Sequence, residues 1–198
     1  ASEIRPIFHL LPTLIRRTNH QALAGLFTIG FVPTPQTTFA NVYKLPAAHM
    51  LIMHNGQMTI RPYWYLTFPE NGKYSQISAA DAVADFMAHL RDAVAAWRMS
   101  DVPVGSLLSG GIDSSALATL LTEISGQSIH TFHIAFSAAS HDESEYAKAV
   151  AERIGSRHHT VHFGPEAFDL LPRIISRLEE PQCSATSIPI YLLYKACH

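Results

Sequence analysis

Apolar positions in the second half of the chain alternate between two periods. Val83, Phe86, Leu90, Val94 and Trp97 follow at steps of three and four, the spacing of one helix face, and the stripe reads as core. Ser78 precedes this run with Asp81 three residues on, an imperfect capping box. Beyond it, 104–108 reads as a short buried strand, and 129–136 and 158–163 as the next two strands. The segments between and after them, 114–124, 142–154 and 166–178, read as helices, two of them stopped at Gly126 and Gly155. The inward faces predicted for the second and third are Tyr146, Val150, Ile154 and Phe168, Leu171, Ile175, Leu178. A last segment, 188–197, is helical in pattern. Three strand–helix units in succession imply an α/β fold, a parallel twisted sheet with flanking helices.

The first 66 residues have another character. Helical patterns cover 4–17, interrupted at Pro12, and 20–28. A loop with prolines at 33, 35 and 46 follows. Two apolar strands, 49–54 and 57–65, then flank Asn55-Gly56, the dipeptide favoured where both central residues of a hairpin turn need positive φ. Pro62 places the second strand at an edge or bulge. Polar residues 67–77 form a connector, so the expected organisation is 1–66, 67–77 and 78–198.

Composition narrows the function classes. With 198 residues, 47% hydrophobic and 15% charged, the chain can bury a sizeable core and is not disordered. A formal charge of −2 carries no field for nucleic acid. Cys183 and Cys197 are too few for a disulfide scaffold and suit a reducing compartment. No basic-then-apolar leader is visible, and the longest apolar stretch, 23–32, is about half a membrane span. A cytoplasmic protein without membrane or nucleic-acid partners is expected.

One segment carries chemistry: Leu107-Leu108-Ser109-Gly110-Gly111-Ile112-Asp113-Ser114-Ser115, placed where a strand hands over to a helix. In open parallel sheets, ligands bind beyond the carboxyl ends of the strands. Two glycines allow close backbone approach to an anion, a helix N-terminus offers free N–H groups, and Ser109, Ser114 and Ser115 add hydroxyls. This is a phosphate or pyrophosphate cradle. It is not a Walker A loop, because no lysine occurs between Lys73 and Lys148. Asp113 instead sets a carboxylate beside the anion, which calls for a bridging cation, and Mg²⁺ is the usual one. Carboxylate and hydroxyls without lysine fit attack at the α-phosphorus with release of pyrophosphate, giving an acyl-adenylate that an amine displaces.

The loop resembles the SGGxDS pyrophosphate loop of the ATP-pyrophosphatase superfamily. Its surroundings are similar to the glutamine-dependent asparagine synthetase family. The likeness runs through Asp101-Val102-Pro103-Val104-Gly105, Thr131-Phe132-His133-Ile134-Ala135-Phe136 and Asp142-Glu143-Ser144-Glu145-Tyr146-Ala147. It continues in His158-His159, Leu178-Glu179-Glu180-Pro181 and Ser187-Ile188-Pro189-Ile190-Tyr191-Leu192. Upstream, Ser2-Glu3-Ile4, Gly30-Phe31-Val32-Pro33, Lys44-Leu45-Pro46 and Tyr63-Trp64 look like the closing part of that family's glutaminase domain.

The resemblance implies a Rossmann-like ATP-pyrophosphatase fold preceded by the α+β tail of an N-terminal-nucleophile glutaminase domain. It implies that Ser109, Gly110, Gly111, Ser114 and Ser115 hold pyrophosphate, that Asp113 is the Mg²⁺ ligand, and that Leu108 and Ile134 contact the adenine of ATP. Glu179 is carried over as a residue near the amino-acid substrate. The implied reaction adenylates the side chain of aspartate and transfers ammonia derived from glutamine, and a homodimer of the full-length protein is left open.

Three departures bear on this. The family's glutaminase nucleophile is an N-terminal cysteine, whereas this sequence starts with Ala1 and has no cysteine before Cys183. An SGDGxDE-type stretch and a lysine beyond it are absent, so these residues alone are expected to run neither half-reaction. Ala135 stands where the family usually has glycine. The contrasting readings are a non-catalytic nucleotide-binding relative, and a related amidotransferase or cyclase acting on another carboxylate. A GMP-synthetase-like enzyme is disfavoured by the upstream segment.

Other clusters read as structural. His158 and His162 share one strand face with His159 opposite, and no cysteine or carboxylate follows at zinc-ligand spacing. Asp142, Glu143 and Glu145 suit the N-terminal turn of a helix. Glu179-Glu180 fits a helix end as well as a substrate contact.

Overall fold

The computed structural model describes residues 2–70, 76–136 and 143–197. Asp142 and residues 71–75 of the connector lie outside the described residues. By contact the chain divides into two units, Ala1–Tyr74 with Pro172–Ala185, and Ser75–Leu171 with Thr186–His198.

In the first unit, α1 (Arg5–Leu10) is shorter than the predicted 4–17, because the residue before Pro12 is disfavoured in helical backbone. Helix α2 (His20–Ile29) opens on Asn19, whose side chain accepts the Ala22 N–H, and closes on left-handed Gly30. Ala22, Leu26 and Val32 form its small core, with Leu23 packed against them. Strands β1 (His49–His54) and β2 (Gln57–Pro62) make the expected antiparallel hairpin, His54 opposite Gln57. Asn55 and Gly56 both have positive φ, 49° and 76°. The second strand ends at Pro62, which has no N–H for the ladder, rather than at residue 65.

Residues Pro172–Ala185 belong to this same unit. Glu179 accepts the Ile4 and Arg5 N–H groups at 2.9 and 3.0 Å, capping α1 from far along the chain. Glu180 pairs with Lys44 at 2.5 Å and accepts the Thr38 N–H at 3.1 Å. The Cys183 N–H donates to Gly30 C=O at 3.1 Å.

The second unit carries the sheet. Helix α3 (Ala79–Trp97) is capped as predicted: the Ser78 hydroxyl accepts the Asp81 N–H at 3.1 Å and donates to its carboxylate at 2.7 Å. Its apolar stripe is not core, however. Phe86 is 63% and Trp97 88% exposed, and α3 buries no residue. It meets the rest of the unit at α4 (Ile112–Ser125), with only Ala82, Met87, Leu90 and Val94 half-buried and Arg91 paired to Glu123 at 2.8 Å.

Strands β3 (Gly105–Leu107), β4 (His130–Phe136) and β5 (Arg157–Phe163) form a parallel sheet in that order. Leu107 lies opposite Phe132, and Phe132 opposite His159. Helices α4 and α5 (Ser144–Ile154) pack on the sheet and end on left-handed Gly126 and Gly155. Leu108, Ala118, Ala147 and Ala151 form the core between them, with Val150 and Ile154 against it. Three alanines let both helices approach closely.

Tyr146, predicted inward with Val150 and Ile154, is exposed. The buried face of α5 is centred on Ala147 and Ala151, about 100° round the helix from Tyr146. The predicted helix 166–178 is a 3₁₀ turn, Pro165–Leu170, followed by α6 (Leu171–Arg177). Pro172 has no N–H for a carbonyl four residues back, so the helix changes phase there. Ala167 and Ile174 are consequently the buried residues, while Phe168, Leu171 and Ile175 are exposed and Leu178 is half-buried. Helix α7 (Ser187–Ala196) packs on β4 and β5. Among the described residues, no helix is long and apolar enough to cross a membrane.

Candidate functional site

The segment 109–115 joins the carboxyl end of β3 to α4, and its two glycines do different work. Gly110 has φ +90°, and a Cβ there would stand 2.6 Å from both the Ala147 nitrogen and the Tyr146 Cβ. It is the point at which the loop is pressed onto the first turn of α5. Gly111 has ordinary backbone, φ −68° and ψ 160°, and a Cβ there would meet only the Ser109 Oγ, at 3.4 Å. That is van der Waals contact with one rotatable hydroxyl among the described residues, and it leaves a backbone that a ligand can approach.

Helix α4 starts at Ile112, two residues before the expected Ser114, because Gly111 serves as its cap. A glycine has no side chain with which to cap, and α4 has no side-chain cap bond, in contrast to α2 and α3. The first bond into the helix is from Ser115 N–H to Gly111 C=O, 3.0 Å. The preceding amides, Ile112, Asp113 and Ser114, are the orphan donors of a helix N-terminus and carry its partial positive charge. Asp113 is exposed in this turn.

The serines brace the loop from within. Gly111 N–H donates to Ser109 Oγ and Ser109 N–H to Ser114 Oγ, each at 3.2 Å. Ser114 and Ser115 both donate to the Gly111 carbonyl, at 3.1 and 2.7 Å. A hydroxyl has one hydrogen, so either serine would have to rotate to donate to a ligand. The free backbone amides are therefore the ready anion donors, and the hydroxyls hold them in place.

Ser109 and Ile134 border one cleft of about 120 Å³, floored by Phe132 and His133. It is smaller than the roughly 300–1,000 Å³ of pockets that enclose a whole small-molecule ligand, so it could take only part of a nucleotide. Leu108 borders it too, but is 1% exposed, its side chain in the core. A wider cleft, about 790 Å³, runs along Val104–Leu107 and reaches His130, His159 and Tyr194, and none of residues 109–115 lines it. Size alone would have pointed away from the loop.

The profile of the family described as Asparagine synthase matches residues 85–198, more than half of the chain. The chain belongs to the asparagine synthase family. A second profile, Glutamine amidotransferase domain, matches residues 1–64. A relative in Methanocaldococcus jannaschii is 33% identical over 176 residues, 87% of this chain and 33% of its own length. Asparagine synthetase (glutamine-hydrolyzing) 1 of Bacillus subtilis is 32% identical over 177 residues, 88% of this chain and 27% of its own. Amidase chry2 of Gibberella zeae is 30% identical over 159 residues, 73% of this chain and 23% of its own. The chain thus spans a third or less of the length of these relatives.

The structure brings Leu108, Ser109, Gly110, Gly111, Asp113, Ser114, Ser115 and Ile134 to one end of one sheet. Glu179 is in the other unit, where its carboxylate holds Ile4, Arg5 N–H and the Arg5 guanidinium (3.4 Å). The histidines of β4 and β5 make hydrogen bonds within the sheet and its surroundings. His130 Nδ1 and His159 Nε2 share a hydrogen bond of 2.8 Å, and His158 Nδ1 meets Thr131 Oγ1 at 3.0 Å. Burial, reinforced by His133 and His159 nearby, pushes the His158 pKa below its ordinary value. One residue that sequence reasoning gave no role, His133, is 4% exposed and bonds the loop root, with only the strand's alternation to hint at it.

Proposed function

We propose that this chain supplies the nucleotide-binding part of a glutamine-dependent ligase that adenylates the side-chain carboxylate of aspartate. Pyrophosphate leaves, and ammonia from glutamine then displaces AMP to form the amide. The observation that carries this reading is the uncapped N-terminus of α4 behind an open Gly111, at the carboxyl end of a parallel strand. Membership of the asparagine synthase family supports it.

In this reading the Ile112, Asp113 and Ser114 amides face the diphosphate that departs. They are held by the serine braces before the reaction begins, so they stabilise the growing charge without reorganising. Asp113, an exposed carboxylate beside those amides, fits Mg²⁺, a cation that takes carboxylate and phosphate oxygens together. When bound there, Mg²⁺ would neutralise charge on the leaving group. Ile134 on β4 and Leu108, both at the edge of the cleft, would border the base.

The test is pyrophosphate release by the protein from its complete reading frame, with ATP, Mg²⁺ and aspartate. Release that Asp113→Ala lowers at least about a hundredfold, the scale of losing one transition-state charge stabiliser, supports the reading. No release with any carboxylate would overturn it. A second acceptor class is favoured by one finding, the relatives named amidases, which match at nearly the identity of the synthetases. Release with other carboxylates but not aspartate would select that class.

A further inference from the structure

His133 lies at the root of the nucleotide loop with both ring nitrogens engaged. Its Nδ1 is 3.0 Å from the Leu108 carbonyl, and its Nε2 is 3.1 Å from the Ser144 hydroxyl. A carbonyl only accepts, so Nδ1 carries the hydrogen, and in the neutral ring Nε2 accepts from Ser144. The backbone ladder between β3 and β4 ends at Leu107 opposite Phe132. Leu108 N–H still donates to Phe132 C=O at 2.8 Å, but its own carbonyl faces a side chain. The imidazole thus adds one more rung where the backbone turns away into the loop.

The other end of the ring holds α5 at its first residue, Ser144. Two and three residues later come Tyr146 and Ala147, against which Gly110 is pressed. One buried ring therefore fixes both the start of the loop and the wall the loop leans on. The ring of His158 lies beside it, centroids 6.3 Å apart.

We infer that His133 is the positioning residue of the nucleotide loop, setting where the α4 amides stand for the pyrophosphate. This rests on the nucleotide reading above. It acts through Leu108 and α5 and touches no phosphate.

The experiment compares His133→Ala, His133→Asn and His133→Gln in the protein from its complete reading frame. Asparagine places its amide nitrogen close to where Nδ1 sits, and glutamine places it close to Nε2. The readouts are affinity for a fluorescent ATP analogue with Mg²⁺, and amide hydrogen exchange across residues 109–115 without ligand. Expected are an affinity about tenfold weaker and faster loop exchange for His133→Ala, the scale of one lost hydrogen bond. His133→Asn should recover to within about threefold, and His133→Gln should not.

A folded His133→Ala with unchanged affinity and loop exchange overturns the inference. If that variant does not fold, the other two decide, since equal affinity and exchange in the asparagine and glutamine variants mean that the ring only fills space. If the unsubstituted protein binds no nucleotide, the nucleotide reading fails, while loop exchange still reports whether His133 holds the loop.

Discussion

Gly110 and Tyr146 leave no room for a side chain between them, since a Cβ on Gly110 would stand 2.6 Å from the Cβ of Tyr146. The contact explains why two adjacent glycines differ in kind. Gly110 is required by packing and by its positive φ, whereas among the described residues a Cβ on Gly111 would meet only the Ser109 hydroxyl.

Gly110→Ala and Gly111→Ala should therefore separate stability from binding. The first forces a methyl into backbone atoms at φ +90° and should destabilise the second unit by about 2–4 kcal/mol. The second should change stability by less than about 1 kcal/mol yet weaken nucleotide binding by crowding the approach. Urea unfolding together with nucleotide titration checks both. A stable Gly110→Ala would show that α5 yields to the loop.

Glu180 and Lys44 should couple in the first unit. Lys44 Nζ also donates to Val32 C=O at 2.9 Å, so three segments meet at this pair. Glu180→Gln sets an amide against the ammonium and should speed exchange of the Thr38 and Cys183 amides about tenfold, the scale of a charged hydrogen bond lost near the surface. Lys44→Met should do the same, and the double variant should be less than additive. Full additivity would mean that the pair contributes nothing jointly.

Acid should destabilise the second unit through His158. Its folded pKa lies below the ordinary 6.5, mainly through burial, while the unfolded chain takes up the proton near 6.5. The unfolded state then binds more protons, so stability rises with pH across this window and falls as pH drops from about 7 towards the folded value. Below that value the loss levels off. His158→Asn should flatten the difference in urea midpoint between about pH 7.5 and 5.5 relative to the unsubstituted protein. An unchanged difference would assign the dependence to other histidines.

Much of the local fold around the candidate site was legible before any coordinates, because its signals are local. Gly126 and Gly155 end their helices in left-handed backbone, Asn55-Gly56 turns the hairpin, and Ser78 caps α3, each through its own torsions or its neighbours. The apolar stripes misled where period alone cannot say what lies opposite. Phe86 and Trp97 follow a helix face, yet α4 reaches only the Leu90–Val94 side. Tyr146 sits beside the buried face of α5, and Pro172 shifts the phase that would have turned Phe168 inward.

The order of strands and helices, and the place of a glycine-serine turn between β3 and α4, follow from residues a few positions apart. They are set by backbone sterics and by the periodic burial of apolar groups. His133 meeting Leu108, Glu180 meeting Thr38 and Glu179 meeting Ile4 join positions 25, 142 and 175 residues apart. Those pairings exist only once the chain has closed on itself. A buried polar group must then find whichever partner the packing has left beside it.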